Sequence, residues 1–363
     1  MMGPRALIDL SALAHNLRRA RRAAPGCRVM AVIKSNGYGH GVLRAARGLS
    51  VADAFAVARV GEGVELRRTG IDKQILVLGG ALDAEELALA SQYRLELMVH
   101  HQTQLSLLER HDGSHSVRCW LKVDSGMHRL GFLPEESEKA WQRLSGLSVV
   151  EGDVGMVTHL ANADDLSDNT TVSQLERFKP LAEKLGVETS IANSAGILGW
   201  PDAHGDWVRP GIMLYGASPF INGSAYEDGL RPVMTLESQL IAVKHLPAGS
   251  PIGYGGTWRC PEPMLVGVAA VGYGDGYPRH APSGTPVLVN GSRVPLVGRV
   301  SMDMITLDLR SQPDAAVGDT VTLWGEGLPA DEVAASAGTI AYELFCGVTQ
   351  RVSFIEKGAE TDG

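Results

Sequence analysis

Between Cys27 and about Ile212, short β-rich apolar runs and longer segments of helical period take turns about eight times. No other feature restricts so strongly what this chain can fold into. The runs are CRVMAVIK, AFAVA, QILVLG, LELMVH, RCWLKVD, GMVTHLA, TSIANS and VRPGIML. Between them lie segments such as GVLRAARGL, AEELALASQY, PEESEKAWQRL and SQLERFKPLAEKLG, whose apolar residues recur at three and four with charges between. Strand and helix alternating this often predict an α/β protein built on a (β/α)8 TIM-type barrel. A doubly wound open sheet is the other architecture that the alternation allows.

After Tyr215 the helical periods fade and Gly, Pro, Val and Thr rise. MTLESQLIAVKHL, MLVGVAAVGYG, TPVLVNGSRVPLVGRVSMDMITLDL and GDTVTLWG read as strands parted by tight turns, with Asn290-Gly291 a strong hairpin signal. One helix is expected at PADEVAASAG, with Asp331 serving its N-terminus. The expected division is a barrel over residues 10–230 and a mostly β domain over 231–363, with residues 1–9, which hold the strand-like RALIDL, joining the latter.

The totals exclude several functions. A formal net charge of −8 argues against nucleic acid or an anionic membrane as the main partner. No stretch approaches the roughly 18 unbroken apolar residues of a spanning helix. The start reaches Asp9 and His15 too early for a secretory h-region, so the expectation is a cytoplasmic protein. Four scattered cysteines without a C-x-x-C pair predict reduced thiols, and the histidines show no metal-ligand spacing, so no catalytic metal is expected. VAAVGYGDGY lacks the G-x-G-x-x-G spacing of a nucleotide loop.

In a barrel, the C-terminal strand ends converge on one mouth, where chemistry sits. Lys34 ends the first run. Half desolvated there, its amine would be pushed toward the neutral nucleophile that forms a Schiff base, although a lysine at a strand end is, taken alone, more often an ordinary surface residue. Gly37, Gly39 and Gly41 follow and would let backbone pass close to a bulky group, while Tyr38 offers a hydroxyl to an anionic oxygen. Lys122, Arg129, His159, Asn193, Ser194 and Arg209 occupy later strand ends. Any one of them could be a satisfied core or rim residue; six at successive strand ends are harder to dismiss.

With those residues placed, AVIKSNGYGHG resembles the cofactor-lysine signature of the alanine racemases, a family of fold-type III pyridoxal-phosphate enzymes. KVDSGMHRLG, NSAG, VRPGIMLYG, GYGGTW, GYGDGYPR and VGRVSMDM follow in the family's order, so the likeness spans nearly the whole chain. The resemblance implies pyridoxal 5′-phosphate bound as a Schiff base to Lys34, which would later act as one catalytic base. Tyr254 would be the second base on the opposite face of the substrate, because racemisation removes a proton from one side and returns it to the other. His159 and Arg209 would support Tyr254, and Arg209 would also meet the pyridine nitrogen.

By the same resemblance Tyr38, Ser194, Tyr342 and the amides of Gly211 and Ile212 would bind the phosphate, while Arg129 and the N–H of Met302 would meet the substrate carboxylate. Lys122, carbamylated in family members, would orient Arg129, and Asn193, Tyr273 and Asp303 would support the site and its entry. Tyr254, Tyr273, Met302 and Asp303 lie in the β domain, and in the family such residues serve the other subunit, which implies a homodimer with composite active sites. The expected activity is interconversion of L- and D-alanine, supplying D-alanine for peptidoglycan in a bacterial host. A serine or broad-specificity racemase is the nearest alternative. A diamino-acid decarboxylase would carry an acidic residue where Arg209 stands, and a non-catalytic pyridoxal-phosphate carrier would lack the roughly 130 residues beyond the barrel.

Overall fold

The structure is a computed structural model that describes residues 3–111 and 115–358. It opens on strand β1 (Arg5–Asp9), whose last side chain accepts from Ser11 N at 2.8 Å and Ala12 N at 3.1 Å and so caps the helix Leu10–Ala23. Eight parallel strands then close a barrel in chain order: β2 (Arg28–Val32), β3 (Ala54–Val57), β4 (Gln74–Val77), β5 (Glu96–Val99), β6 (Cys119–Lys122), β7 (Gly155–Val157), β8 (Thr189–Ser190) and β9 (Trp207–Val208). Closure comes from Arg28 pairing Trp207 and Val29 pairing Val208. The alternation is therefore that of a barrel and not of an open sheet.

The strands read as continuous apolar runs because both of their faces are covered. Every residue of β3 and β5 is buried, packed against barrel filling inside and helices outside. The covering helices include Val42–Gly48, Val60–Arg68, Ala84–Gln92, Gln102–Glu109, Pro134–Ser145 and Thr170–Leu185. β8 and β9 are much shorter than the runs TSIANS and VRPGIML that contain them. β9 stops short of Pro210, which has no N–H for the ladder, although Arg209 N still donates to Ala192 O at 2.9 Å and the Pro210 carbonyl accepts from Val32 N at 3.0 Å.

Beyond the barrel, β10 (Met234–Leu246) organises a twisted sheet. On one side its first half pairs antiparallel with β1, which in turn runs parallel to Ser353–Lys357. On the other side lies Thr320–Trp324, followed by the hairpin Pro286–Val289 and Ser292–Pro295. The hairpin turns on Asn290 and Gly291, both left-handed at φ 49° and 80°, as a type I′ turn requires. The second half of β10 pairs with Met264–Ala269, which carries Ile305–Asp308 on its far side. One continuous apolar core runs from the barrel into this sheet.

Two local expectations change. The helix Ala330–Ala337 starts after Pro329, and Asp331 lies in its first turn instead of capping it; the Asp331 carboxylate accepts from Ser218 N at 3.2 Å, tying the helix to the barrel. A further helix, Ala341–Gly347, forms from AYELFCG, which is too short to show a helical period. Among the described residues no helix is long and apolar enough to cross a membrane, and all four cysteines are free.

Candidate active site

The lysine at the end of β2 is followed by backbone of the wrong hand. Ser35, Asn36, Gly37 and Tyr38 all sit in the left-handed region, at φ 54°, 54°, 60° and 50°. For residues with a Cβ this costs about 1–2 kcal/mol each, so something must hold the turn. Within it, Gly37 N donates to Ile33 O at 3.0 Å, Gly39 N to Ser35 O at 3.0 Å and Gly41 N to Asn36 O at 2.8 Å. Asn36 Oδ1 accepts from Val42 N at 2.9 Å. From the first turn of the helix Val60–Arg68, Glu62 accepts from Ser35 N at 2.7 Å through one oxygen and from Ala58 N at 2.7 Å through the other. Gly39, at φ 80°, must be glycine because a Cβ there would lie 2.0 Å from Phe345 O, where the helix Ala341–Gly347 comes in and brings Tyr342.

The turn sends Lys34 and Tyr38 into one cavity of about 410 Å³ at the C-terminal ends of the strands. Lys122, Arg129, His159, Asn193, Ser194, Arg209, Gly211, Ile212 and Tyr342 line the same cavity, with Val32, Leu78 and Met98 as apolar wall. Four basic side chains, Lys34, Lys122, Arg129 and Arg209, face it and none of its lining residues is a carboxylate. Burial, reinforced by Arg129, lowers the Lys34 amine from its ordinary value. Lys122, buried in the barrel and close to Arg209 and Arg129, is pushed down to about 7. His159 is driven well below its usual range by burial and then by Arg209, so its ring is neutral.

Arg209 is anchored from three sides. Its guanidinium donates to Ser190 Oγ at 2.6 Å, Thr158 O at 2.6 Å and Ile191 O at 3.2 Å, and lies 3.3 Å from His159 Nδ1. Burial lowers it to about 10, which leaves it cationic at neutral pH. Asn193 plays a local part, its side chain accepting from Gly196 N at 2.9 Å to cap Ser194–Gly199. Arg129 projects from a loop ordered by Asp124, which accepts from Gly126 N at 3.1 Å and His128 N at 2.9 Å.

At the far end of the cavity Ser194 Oγ accepts from Gly211 N at 2.9 Å and Met213 N at 3.3 Å. A Cβ on Gly211 would stand 2.6 Å from the Tyr38 hydroxyl, so only glycine lets that hydroxyl reach the backbone here. Ile212 opens a tight turn, Ile212–Tyr215, whose first N–H groups have no partner within it. Tyr38 stacks on Tyr215 at 4.6 Å and lies 5.8 Å from Tyr342. Burial raises both Tyr38 and Tyr342, the latter to about 12, so both hydroxyls keep their protons as donors. Hydroxyls and amides at one end, a desolvated amine at the other and a basic lining between them fit pyridoxal phosphate, an aldehyde that carries an anionic tail.

Four of the sequence-derived residues are elsewhere. Tyr254, Met302, Tyr273 and Asp303 do not line this cavity; they sit in the β domain, with Tyr254 69% exposed and Met302 51%. Tyr273 and Gly274 knit two of their loops together, Tyr273 N donating to Ser301 O at 3.1 Å and Gly274 N to Met302 O at 2.9 Å. Asp303 pairs with Arg351 at 2.6 Å. Sequence reasoning missed Glu62 and His40, whose side chains fasten the two ends of the lysine turn. Glu62 had a local signal, an acid three residues into a helix after a strand end; His40 stood inside a quoted motif without a role.

Comparison with known proteins agrees with this geometry. Residues 8–219 match the family model of the alanine racemase N-terminal domain and residues 233–356 that of the C-terminal domain. The chain is 57% identical to an alanine racemase of Nitrosococcus oceani over 349 residues, covering 96% of this chain and 98% of that protein. It is 50% identical to one of Coxiella burnetii, covering 97% and 98%. The crystal structure of a biosynthetic alanine racemase from Pseudomonas aeruginosa superposes with a TM-score of 0.94 at 44% identity, covering 98% of this chain and all of that one. An alanine racemase from Acinetobacter baumannii superposes at 0.92 with 36% identity, covering 98% and 100%.

Proposed function

This chain belongs to the alanine racemase family, and from that premise we propose how its residues carry out the interconversion of L- and D-alanine. The activity is that of an isomerase. The site assignment rests above all on one observation: an amine desolvated at a strand end faces a cradle of hydroxyls and amides across a cavity without carboxylates. Pyridoxal phosphate would be held by Lys34 through its amine, by Tyr38, Ser194, Tyr342 and the Gly211 and Ile212 amides through its phosphate, and by Arg209 at its ring nitrogen. Once bound, it supplies an electron sink that lets the substrate's α-proton leave.

The side chains do the rest. Lys34, with its lowered pKa, takes or returns the α-proton on one face. Arg209 keeps its own proton, and so does not protonate the ring nitrogen, which limits side reactions. Arg129 at the cavity mouth binds the substrate carboxylate. Lys122 is neutral for much of the time near pH 7 and would take up carbon dioxide as a carbamate, giving Arg129 an anionic neighbour; a mass gain of one carbon dioxide in bicarbonate buffer tests this.

A proton must also be handled on the opposite face, and Tyr254, which the family resemblance gives that role, does not line its own chain's cavity. We therefore assign the second base to Tyr254 of the partner subunit, with Met302, Tyr273 and Asp303 in the same part, in a homodimer with two composite sites. A groove of about 940 Å³ beside the cavity, sharing His159, Asn193 and Tyr342 with it, offers room for such an approach. The proposal takes residues 10–230 as the cofactor-binding barrel and the remainder as the β domain. Family membership supports a cytoplasmic location and a supply of D-alanine to peptidoglycan.

The direct test incubates the protein with pyridoxal phosphate and L-alanine in deuterated water. Optical rotation should fall to zero with full exchange of the α-proton. Cofactor binding without exchange would overturn the assignment of the bases.

A further inference from the structure

We propose that His40 is a positioning residue for the reaction: it locks the left-handed turn that aims Lys34 and Tyr38 at opposite ends of the cavity. His40 is fully buried, and its Nδ1 lies 3.1 Å from Gly37 O and 2.9 Å from Tyr38 O. Both partners are carbonyls, so Nδ1 carries the hydrogen and divides it between them. Nε2 has no hydrogen-bond partner among the described residues. A buried imidazole with one nitrogen unsatisfied is an expensive way to fill space, and the ring is retained here for what its other nitrogen does.

The two carbonyls belong to the last two residues of the turn. Gly37 O already accepts from His40 N at 3.0 Å, so the imidazole adds a second donor there and supplies the one that holds Tyr38 O, tying the two carbonyls together at the end of the turn. The imidazole is itself wedged, 4.7 Å from Tyr215 and 5.0 Å from Phe345. Tyr215 in turn stacks on Tyr38 and donates to Val32 O at 3.0 Å, so His40 and β2 brace the Tyr38 ring together. Glu62 grips the start of the turn and His40 its end. His40 does not line the cavity, and it acts through Lys34 and Tyr38.

The inference rests on Lys34 and Tyr38 being the cofactor residues proposed above. His40→Asn keeps a donor at the δ position, whereas His40→Phe keeps the ring and loses the donor. Both are loaded with pyridoxal phosphate alongside wild type and Lys34→Ala, and three things are read: cofactor dissociation constant, the visible band of lysine-bound cofactor, and thermal midpoint. The expected result is roughly tenfold weaker cofactor binding and a shifted band in His40→Phe, with both largely recovered in His40→Asn. Equal cofactor binding in all folded variants, with only the midpoint changed, would overturn the proposal. An unchanged visible band in Lys34→Ala would instead refute the underlying cofactor assignment. Should His40→Phe not fold, nitrogen-15 shifts of the wild-type ring decide, since a hydrogen on Nε2 in place of Nδ1 is incompatible with the lock.

Discussion

Tyr254→Phe separates catalysis from stability more cleanly than any other change in this protein. The side chain is 69% exposed, in a short turn of the β domain, and removal of its hydroxyl should move folding stability by no more than about 0.5 kcal/mol. Loss of a general base should cost about 10²- to 10⁴-fold in rate, or roughly 3–5 kcal/mol of barrier. Because Tyr254 does not line its own chain's cavity, the defect should also be curable by another chain. Mixing equal amounts of Tyr254→Phe and Lys34→Ala, each inactive, and letting subunits exchange makes half the dimers mixed. One of the two sites in each mixed dimer combines an intact Lys34 with an intact Tyr254, so about a quarter of wild-type activity should return. The assay is α-proton exchange of alanine in deuterated water, with differently tagged chains co-purified to prove exchange. No recovery despite proven exchange would refute the shared site, and a large loss of stability in Tyr254→Phe would refute the reading that its hydroxyl contributes nothing to the fold of its own chain.

Other outcomes follow from the geometry around the cavity. Gly39→Ala should destabilise the protein by about 3 kcal/mol or more, since its Cβ meets the Phe345 carbonyl in rigid backbone at a left-handed position; denaturant unfolding measures it. Ser194→Ala removes the acceptor of two amides and a hydroxyl from the anion cradle, and titration should show pyridoxal phosphate bound roughly tenfold more weakly. Burial lowers His40 to about 4, against about 6.5 in an unfolded chain, so the unfolded state binds more protons between those values. Stability from this group is complete above pH 6.5 and is lost as pH falls toward 4, by up to about 3 kcal/mol; the gap between wild type and His40→Asn should shrink over that window in parallel melts.

The glycine and capping signals show how far local chemistry reaches. Asn290-Gly291 announced its hairpin because a type I′ turn needs two left-handed residues and those types adopt it at little cost. Nothing of that kind marks Ser35 and Tyr38, which are as left-handed as Asn290 and are held there by Glu62, His40 and the helix Ala341–Gly347. Asp331 looked like a cap in its own segment, but its carboxylate is drawn away by Ser218, which is more than a hundred residues earlier in the chain.

By itself the sequence determined the periodicities, and through them the barrel, the second β-rich part, the strand ends that could bear chemistry and the family likeness. Hydrophobic period is a property of neighbouring residues and can be read without knowing what they will meet. Only the tertiary structure decided closure, through pairs as remote as Arg28 and Trp207, and only it brought Lys34, Lys122, Arg129 and Arg209 to one cavity while leaving Tyr254 outside. Those outcomes depend on desolvation and on hydrogen bonds between residues far apart in the chain, which come into being only when the barrel closes and the β domain packs against it.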